Sequence, residues 1–320
     1  MNHNCLETAR TANSACPLVL GTAQLGLPYG IANKTGLPDQ TTATAIVREA
    51  WENGICEFDT GQAYGDSEGV LGKALSKLGI IGEVRIISKF DPDLNHLDPV
   101  SMSGALDQSL KKLGVPYLFG ILLHREEMLS LLDKGLAEIL HKLLLSGRVQ
   151  YIGASVYSPD KAVEALKTEG IDIVQIPTNI LDRRFEKAGV FELADQKKKQ
   201  LYIRSIFLQG LLLMDPEEIS TEMIFTRPIL EKVRSISRNL GMTRQQMALC
   251  YIKGRNPKAK IVFGADCPSQ VKENCISWNK NLPESFISLV NDIFAQVDEQ
   301  VLNPALWPKQ VRKDPEVHSA

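Results

Sequence analysis

The sequence predicts an α/β fold, a single-domain (β/α)8 barrel of the TIM type spanning residues 17–300. Three observations carry that prediction. Short apolar runs, most of them rich in β-branched residues, recur eight times, as suits strands buried on both faces of a parallel sheet. Amphipathic segments lie between them, many ending on a glycine. No G-x-G-x-x-G follows the first run, where an open dinucleotide-binding sheet would need it.

The elements follow in order. The run Pro17–Ala23 precedes a helical pattern from Thr41 to Gly54, and the run Ile55–Thr60 precedes one from Asp66 to Gly79. The third run, Val84–Phe90, leads to a helix from Pro99 to Gly114, and the fourth, Tyr117–His124, to one long helical pattern from Arg125 to Gly147. Val149–Val156 is followed by Ser158-Pro159, a helix-start pair, with a glycine stop at Gly170. Ile171–Asn179 and Leu201–Gly210 are the sixth and seventh runs. The longest connection follows, from Leu211 through a helix ending near Gly241 and another from Thr243 to Asn256, before the last run, Ala259–Ala265. A helix from Glu284 to Val297 is expected to pack on the barrel. Residues 1–16 read as a flexible arm, and 301–320, with Pro304, Pro308 and Pro315, as a tail across the barrel or a frayed end.

Composition narrows the function. The chain has 320 residues, 44% hydrophobic and 23% charged, with a net charge of -2. That balance offers no electrostatic case for nucleic acid or a membrane surface. No apolar run is long enough to span a bilayer, and the first residues lack an apolar signal core. Six cysteines form no C-x-x-C pair, which favours a reduced, cytoplasmic protein. The five histidines lack metal spacing; at His124 the run His-Arg-Glu-Glu-Met misses the second histidine of H-E-x-x-H, and no metal is expected.

In barrel enzymes the chemistry sits at the carboxyl ends of the strands and in the loops that follow. Those positions here hold Asp59, with Tyr64 in the next loop, then Lys89 and His124. Asp59-Thr60-Gly61 is also the triplet of aspartic proteases, but those need two copies and this chain has one. Each residue alone has a plain structural reading: a turn cap, a strand-end charge, a helix start. Together they form a chemical unit. A phenol is a poor acid or base near neutrality, an adjacent ammonium favours its ionised form, and a carboxylate can hold that ammonium in place. A histidine alongside can hydrogen-bond a carbonyl oxygen.

The segment Glu57–Glu68 resembles the aldo-keto reductase signature Asp-Thr-Ala-x-x-Tyr-Gly-x-Ser-Glu, and the strand ends at Lys89 and His124 match that family's lysine and histidine. The similarity continues through Tyr151–Ser155, Ile173–Asn179, Arg204–Leu212 and Val262–Asn274, so it covers roughly Leu18 to Trp278. The resemblance implies reduction of an aldehyde or ketone, or oxidation of an alcohol or sugar, by hydride transfer with NADP(H) or NAD(H). Tyr64 would be the general acid, Lys89 its tuner, Asp59 the lysine's partner and His124 the group that orients the carbonyl. Cofactor contacts carried over from the family are Thr22, Asp59, Ser155, Gln175, Arg204, Ser205, Gly210, Gly264, Ala265, Gln270, Glu273 and Asn274. Three departures stand out: Val156 replaces an asparagine, Arg204 an aromatic residue, and Gly264, Asp266 and Gln270 residues that are often basic or polar in NADP-preferring members. Asp266 leans the site towards NAD(H), while Lys272 is expected to face solvent.

The loop after the first strand is expected to line the substrate mouth, with Gln24 and Tyr29 as contacts. Arg125, Arg183 and Arg184 are candidates for a phosphorylated or nucleotide-linked sugar. The partner is thus a small carbonyl or sugar; oligomeric state is not readable. The alternative is a cofactor-binding regulatory module of the same fold with little turnover, as in potassium-channel β subunits.

Overall fold

The computed structural model describes residues 16–282 and 284–308. Eight parallel strands close into one barrel in chain order, β1 (Leu18–Gly21), β2 (Glu57–Asp59), β3 (Arg85–Lys89), β4 (Leu118–Leu123), β5 (Val149–Ser155), β6 (Ile173–Pro177), β7 (Gln200–Arg204) and β8 (Lys260–Phe263), and β8 pairs back onto β1. Seven strands lie within the apolar runs, and β7 begins one residue before its run, at Gln200. The expected 1–16 arm, Cys16 apart, and the tail beyond residue 308 lie outside the described residues.

The helices start and stop where local chemistry dictates. α1 (Gln40–Glu52) opens with the Asp39 carboxylate accepting from Thr42 N at 2.7 Å. α2 (Ser67–Leu78) ends on left-handed Gly79. α3 (Pro99–Leu113) has Pro99 in its first turn, with Asp98 accepting from Val100 N and Ser101 N. The single helix anticipated over 125–147 is instead a 3-10 stretch, Glu126–Lys134, and then α4 (Leu136–Leu145). Gly135 turns left-handed between them, with φ 111°. At the other end, the Glu126 carboxylate is drawn off to accept from Tyr157 N and Ser158 N, at 2.6 and 2.9 Å. α5 (Pro159–Lys167) and α6 (Val190–Lys197) follow. After β7 come α7 (Arg227–Asn239) and α8 (Arg244–Arg255), the latter with a Thr243/Gln246 capping box. α9 (Pro268–Trp278) follows β8, α10 (Glu284–Ile293) follows it, and buried Trp307 donates to Gln300 O. No described helix is long and apolar enough to cross a membrane.

Strand alternation divides the barrel interior into three levels. At the amino ends, buried Glu57 accepts from Lys260 Nζ at 2.7 Å, Arg85 at 3.3 Å and the Tyr202 hydroxyl at 3.0 Å. Burial first, then the Glu57 charge, raises the Tyr202 phenol well above its ordinary range. The middle level is apolar: Val19, Ile87, Leu122, Ile173 and Val262, with the Tyr202 ring packed among them. Two residues past Ile87, Leu122 and Ile173 the inward positions turn polar again, at Lys89, His124 and Gln175, joined by Ser155, Arg204 and Asp59, which on β2 comes two residues after Glu57 itself.

Candidate active site

The polar upper level brings the four predicted catalytic residues together. Lys89 is fully buried and ends β3; its ammonium donates to Asp59 Oδ1 at 2.6 Å and to Thr60 O at 2.9 Å. A buried ammonium without such partners would be strongly unfavourable. Lys89 Nζ lies 4.9 Å from the centre of the Tyr64 ring. His124 meets the same ring edge-on, with centroids 5.5 Å apart.

The loop that carries Tyr64 is set by close packing. Tyr64 N bonds Gly61 O at 3.1 Å, and Gly65 turns left-handed at φ 58°. The short helical turn Ala23–Gly26 presses against it so closely that a Cβ on Gly26 would overlap the Tyr64 carbonyl. The two residues after Asp66 secure the rest. Ser67 Oγ bonds Thr22, to its carbonyl at 2.7 Å and its hydroxyl at 2.8 Å, and Glu68 accepts from Ser88 Oγ, beside Lys89, at 2.6 Å.

A cleft of about 340 Å³ runs from Tyr64 across the mouth of the barrel, between the loops after β1, β7 and β8. Of the expected cofactor contacts, Thr22, Asp59, Arg204, Ser205, Gly210, Gly264, Gln270, Glu273 and Asn274 line it. Ser155 and Gln175 are register partners on β5 and β6, both fully buried beside Asp59. Ser155 Oγ and Gln175 Oε1 have no hydrogen-bond partner, while Gln175 Nε2 donates to Asp59 Oδ2 at 2.8 Å. A hydroxyl and an amide oxygen left open side by side fit a primary carboxamide such as that of nicotinamide. The β7 loop runs through a series of left-handed residues, Ser205, Leu208, Gln209 and Gly210, with φ from 49 to 91°. Ala265 is buried within the β8 loop. Val156 is buried and apolar, as its departure from the family pattern requires.

Gln24 and Tyr29 line the cleft, and Gln24 covers Gly264, where a Cβ would overlap its side-chain amide. The rest of the β1 loop follows the same course: Ile31 N bonds Gln209 O at 3.0 Å, and a Cβ on Gly210 would lie 2.5 Å from Ala32 Cβ. Arg125 is half-buried after β4 and does not line the cleft. Arg183 and Arg184 are committed elsewhere. Arg183 donates to Ile180 O and Asp182 O and lies over Tyr251, while Arg184 holds Asp182 and Glu299. Gln270 spends its Oε1 on Asp266 N at 2.7 Å, and Asn274 accepts from Gln245 at 2.7 Å, so both brace the β8 loop. Among residues that sequence reading did not single out, Asn33, Gln209 and Gln245 line the cleft, and the Tyr157 ring centre lies 4.4 Å from the Arg204 guanidinium. Only Asn33 carries a local signal, an Asn-x-x-Gly turn.

Matches to known proteins agree with this geometry. The sequence model described as "Aldo/keto reductase family" matches residues 17–295. L-glyceraldehyde 3-phosphate reductase of Escherichia coli K12 is 26% identical over 93% of this chain and 93% of its own. An NADH-specific methylglyoxal reductase of the same organism is 26% identical over 80% of this chain and 88% of its own. A glycerol dehydrogenase structure from Gluconobacter oxydans, 20% identical, superposes with a TM-score of 0.72 over 90% of this chain and 96% of its own. The chain therefore belongs to the aldo/keto reductase family, and it is an NAD(P)-dependent oxidoreductase.

Proposed function

We propose that the protein reduces the carbonyl group of a short, polar aldehyde or ketone, with Tyr64 as the proton donor. The carrying observation is the buried Asp59–Lys89 pair set against the Tyr64 ring. Asp59 fixes the ammonium, and the ammonium's charge favours loss of the phenolic proton. His124, edge-on to the same ring, is placed to donate to the carbonyl oxygen and aim it at the phenol. When bound, the dinucleotide supplies the electron pair and hydrogen that reduce the carbonyl carbon. Ser155 and Gln175 would hold its carboxamide, the β7 loop from Ser205 to Gly210 its diphosphate, and the start of α9 its adenosine half. The Gln175–Asp59 bond ties the carboxamide seat to the catalytic pair.

A short carbonyl substrate accords with two relatives named for glyceraldehyde 3-phosphate and methylglyoxal. NADH acceptance accords with the second of them and with Asp266 in the β8 loop. The test is a panel of short aldehydes, ketones and aldoses assayed with NADH and with NADPH. Turnover that disappears in Tyr64→Phe is the expected result. Cofactor binding with no turnover on any member of the panel would instead favour the regulatory module.

A further inference from the structure

A side-chain hydrogen bond joins the β1 loop to the β8 loop, from Asn33 to Asp266, which lie 233 positions apart in sequence. Asn33 is buried, and its hydrogen bonds dictate its orientation. Its Oδ1 accepts from Gly36 N at 2.7 Å and Thr35 N at 3.0 Å. Its Nδ2 donates to Gly36 O at 3.1 Å and to Asp266 Oδ1 at 3.2 Å. A flipped amide would put its NH2 against two N–H donors and its oxygen against a carboxylate, so only this orientation is satisfied. Asp266 is gripped from the other side through its own N–H, which donates to Gln270 Oε1.

Among the described residues, the β8 side of the cleft is acidic. Cleft-lining residues from the β8 loop and α9 are Gly264, Asp266, Gln270, Glu273 and Asn274: two carboxylates and no lysine or arginine. Among the described residues lining the cleft Arg204 is the single cationic one, and it ends β7 with its guanidinium over the Tyr157 ring. Lys34, next to Asn33, is exposed and paired with Glu218 at 2.7 Å. Lys272 is exposed and does not line the cleft. A carboxylate accepts hydrogen bonds from a ribose diol and repels a 2′-phosphate.

We propose that Asn33 is a specificity-determining residue: from the β1 loop it holds Asp266 as the acceptor for an unphosphorylated adenosine ribose, so that the site selects NAD(H) over NADP(H). The proposal rests on the reading that this cleft binds a nicotinamide dinucleotide. Asn33 acts through Asp266 and is a positioning residue. Loss of either member should therefore erode discrimination, and loss of both should do no more than loss of one.

The experiment is isothermal titration of NADH and of NADPH into the wild type, Asn33→Ala, Asp266→Ala and the double variant, with binding as the readout. Expected is tighter binding of NADH by the wild type, with the NADPH/NADH ratio of dissociation constants falling about fivefold or more in each single variant, roughly one kcal/mol. The double variant should match the single ones. Asp266→Arg should reverse the preference. A simple collapse of the β1 loop would weaken both cofactors alike and leave the ratio unchanged. That outcome, or additive effects in the double variant, overturns the role given to Asn33 while leaving dinucleotide binding intact. Binding of neither cofactor by the wild type overturns both.

Discussion

Gln175 donates its side-chain amide to Asp59 Oδ2 at 2.8 Å, while Lys89 occupies Oδ1 of the same carboxylate at 2.6 Å. One residue thus touches the catalytic pair with its NH2 group and leaves its oxygen open beside Ser155. Gln175→Leu should lower both cofactor affinity and kcat, each by about tenfold, since it removes one cofactor contact and strips a buried carboxylate of a donor. Ser155→Ala should lower affinity and spare the chemical step. Titration of cofactor alongside single-turnover rates separates the two; equal effects on both parameters in both variants would break the proposed link.

Tyr64→Phe keeps the ring that packs beside Lys89 and His124 and removes only the hydroxyl. Carbonyl reduction should fall about 10²–10⁴-fold, the usual span for a general acid. Cofactor affinity should be nearly unchanged. Retention of more than roughly a tenth of the rate, with chemistry limiting, would assign the proton to another group.

Lys89→Met should act on two observables. The variant leaves Asp59 buried with its ammonium partner gone, so unfolding free energy should drop by about 3–5 kcal/mol. Its residual activity in the oxidation direction should also have a basic limb at higher pH. The sign follows from charge: an ammonium near the phenol favours tyrosinate and lowers the phenol's pKa, so removing it raises that pKa. Denaturant melts and a pH–rate profile check the pair. A profile identical to wild type would disconnect the lysine from the tyrosine.

Arg204 places a permanent charge in the cleft, stacked 4.4 Å from the Tyr157 ring centre. An oxidised nicotinamide ring is cationic and a reduced one is neutral. A guanidinium nearby should therefore weaken binding of the oxidised cofactor selectively. Arg204→Gln should lower the oxidised-to-reduced ratio of dissociation constants by about threefold or more, with the effect shrinking in high salt. Parallel titrations of both redox forms, at low and high salt, decide it.

Cysteine labelling offers a direct view of the β8 loop. Burial pushes the Cys275 thiol up to about 12 and raises Cys16, Cys56 and Cys250 as well. Cys267 is half-buried and adjacent to Asp266 at the start of α9, with its Sγ 3.1 Å from Ser269 Oγ. Among these five, mild alkylation near pH 8 should mark Cys267 first, and bound dinucleotide should slow it. Labelling of Cys275 ahead of Cys267, or no effect of NADH, would contradict the placement of the adenosine half.

The barrel was legible because its strands are buried on both faces, which turns each into an apolar run whatever its neighbours do. Asp59, Lys89 and His124 were legible for the same reason, as polar residues standing where such a run stops. The loops resisted. Asn33 and Asp266 meet only after the whole barrel has closed, and no local pattern encodes a contact of that range. Arg183 and Arg184 looked available because composition cannot tell a solvated guanidinium from one consumed by Ile180 O, Asp182 and Glu299. The break at Gly135 was written as a glycine inside a helical period, but the pull of Ser158 on Glu126 was not.

The apolar residues Val19, Ile87, Leu122, Ile173 and Val262 fill the barrel between the Glu57 cluster and the Asp59–Lys89 pair, except on β2, where Glu57 and Asp59 stand two residues apart. The two charged groups at its ends share no hydrogen-bond partner, and what couples them is charge: Asp59 also raises the phenol of Tyr202, which donates to Glu57. Evolution and engineering alike then meet a molecule that is modular in its hydrogen bonds. Changes around Glu57, Lys260 and Tyr202 are trades in durability, while changes around Tyr64, Arg204 and Asp266 are trades in chemistry. A new substrate range can be explored at the rim without renegotiating the foundation.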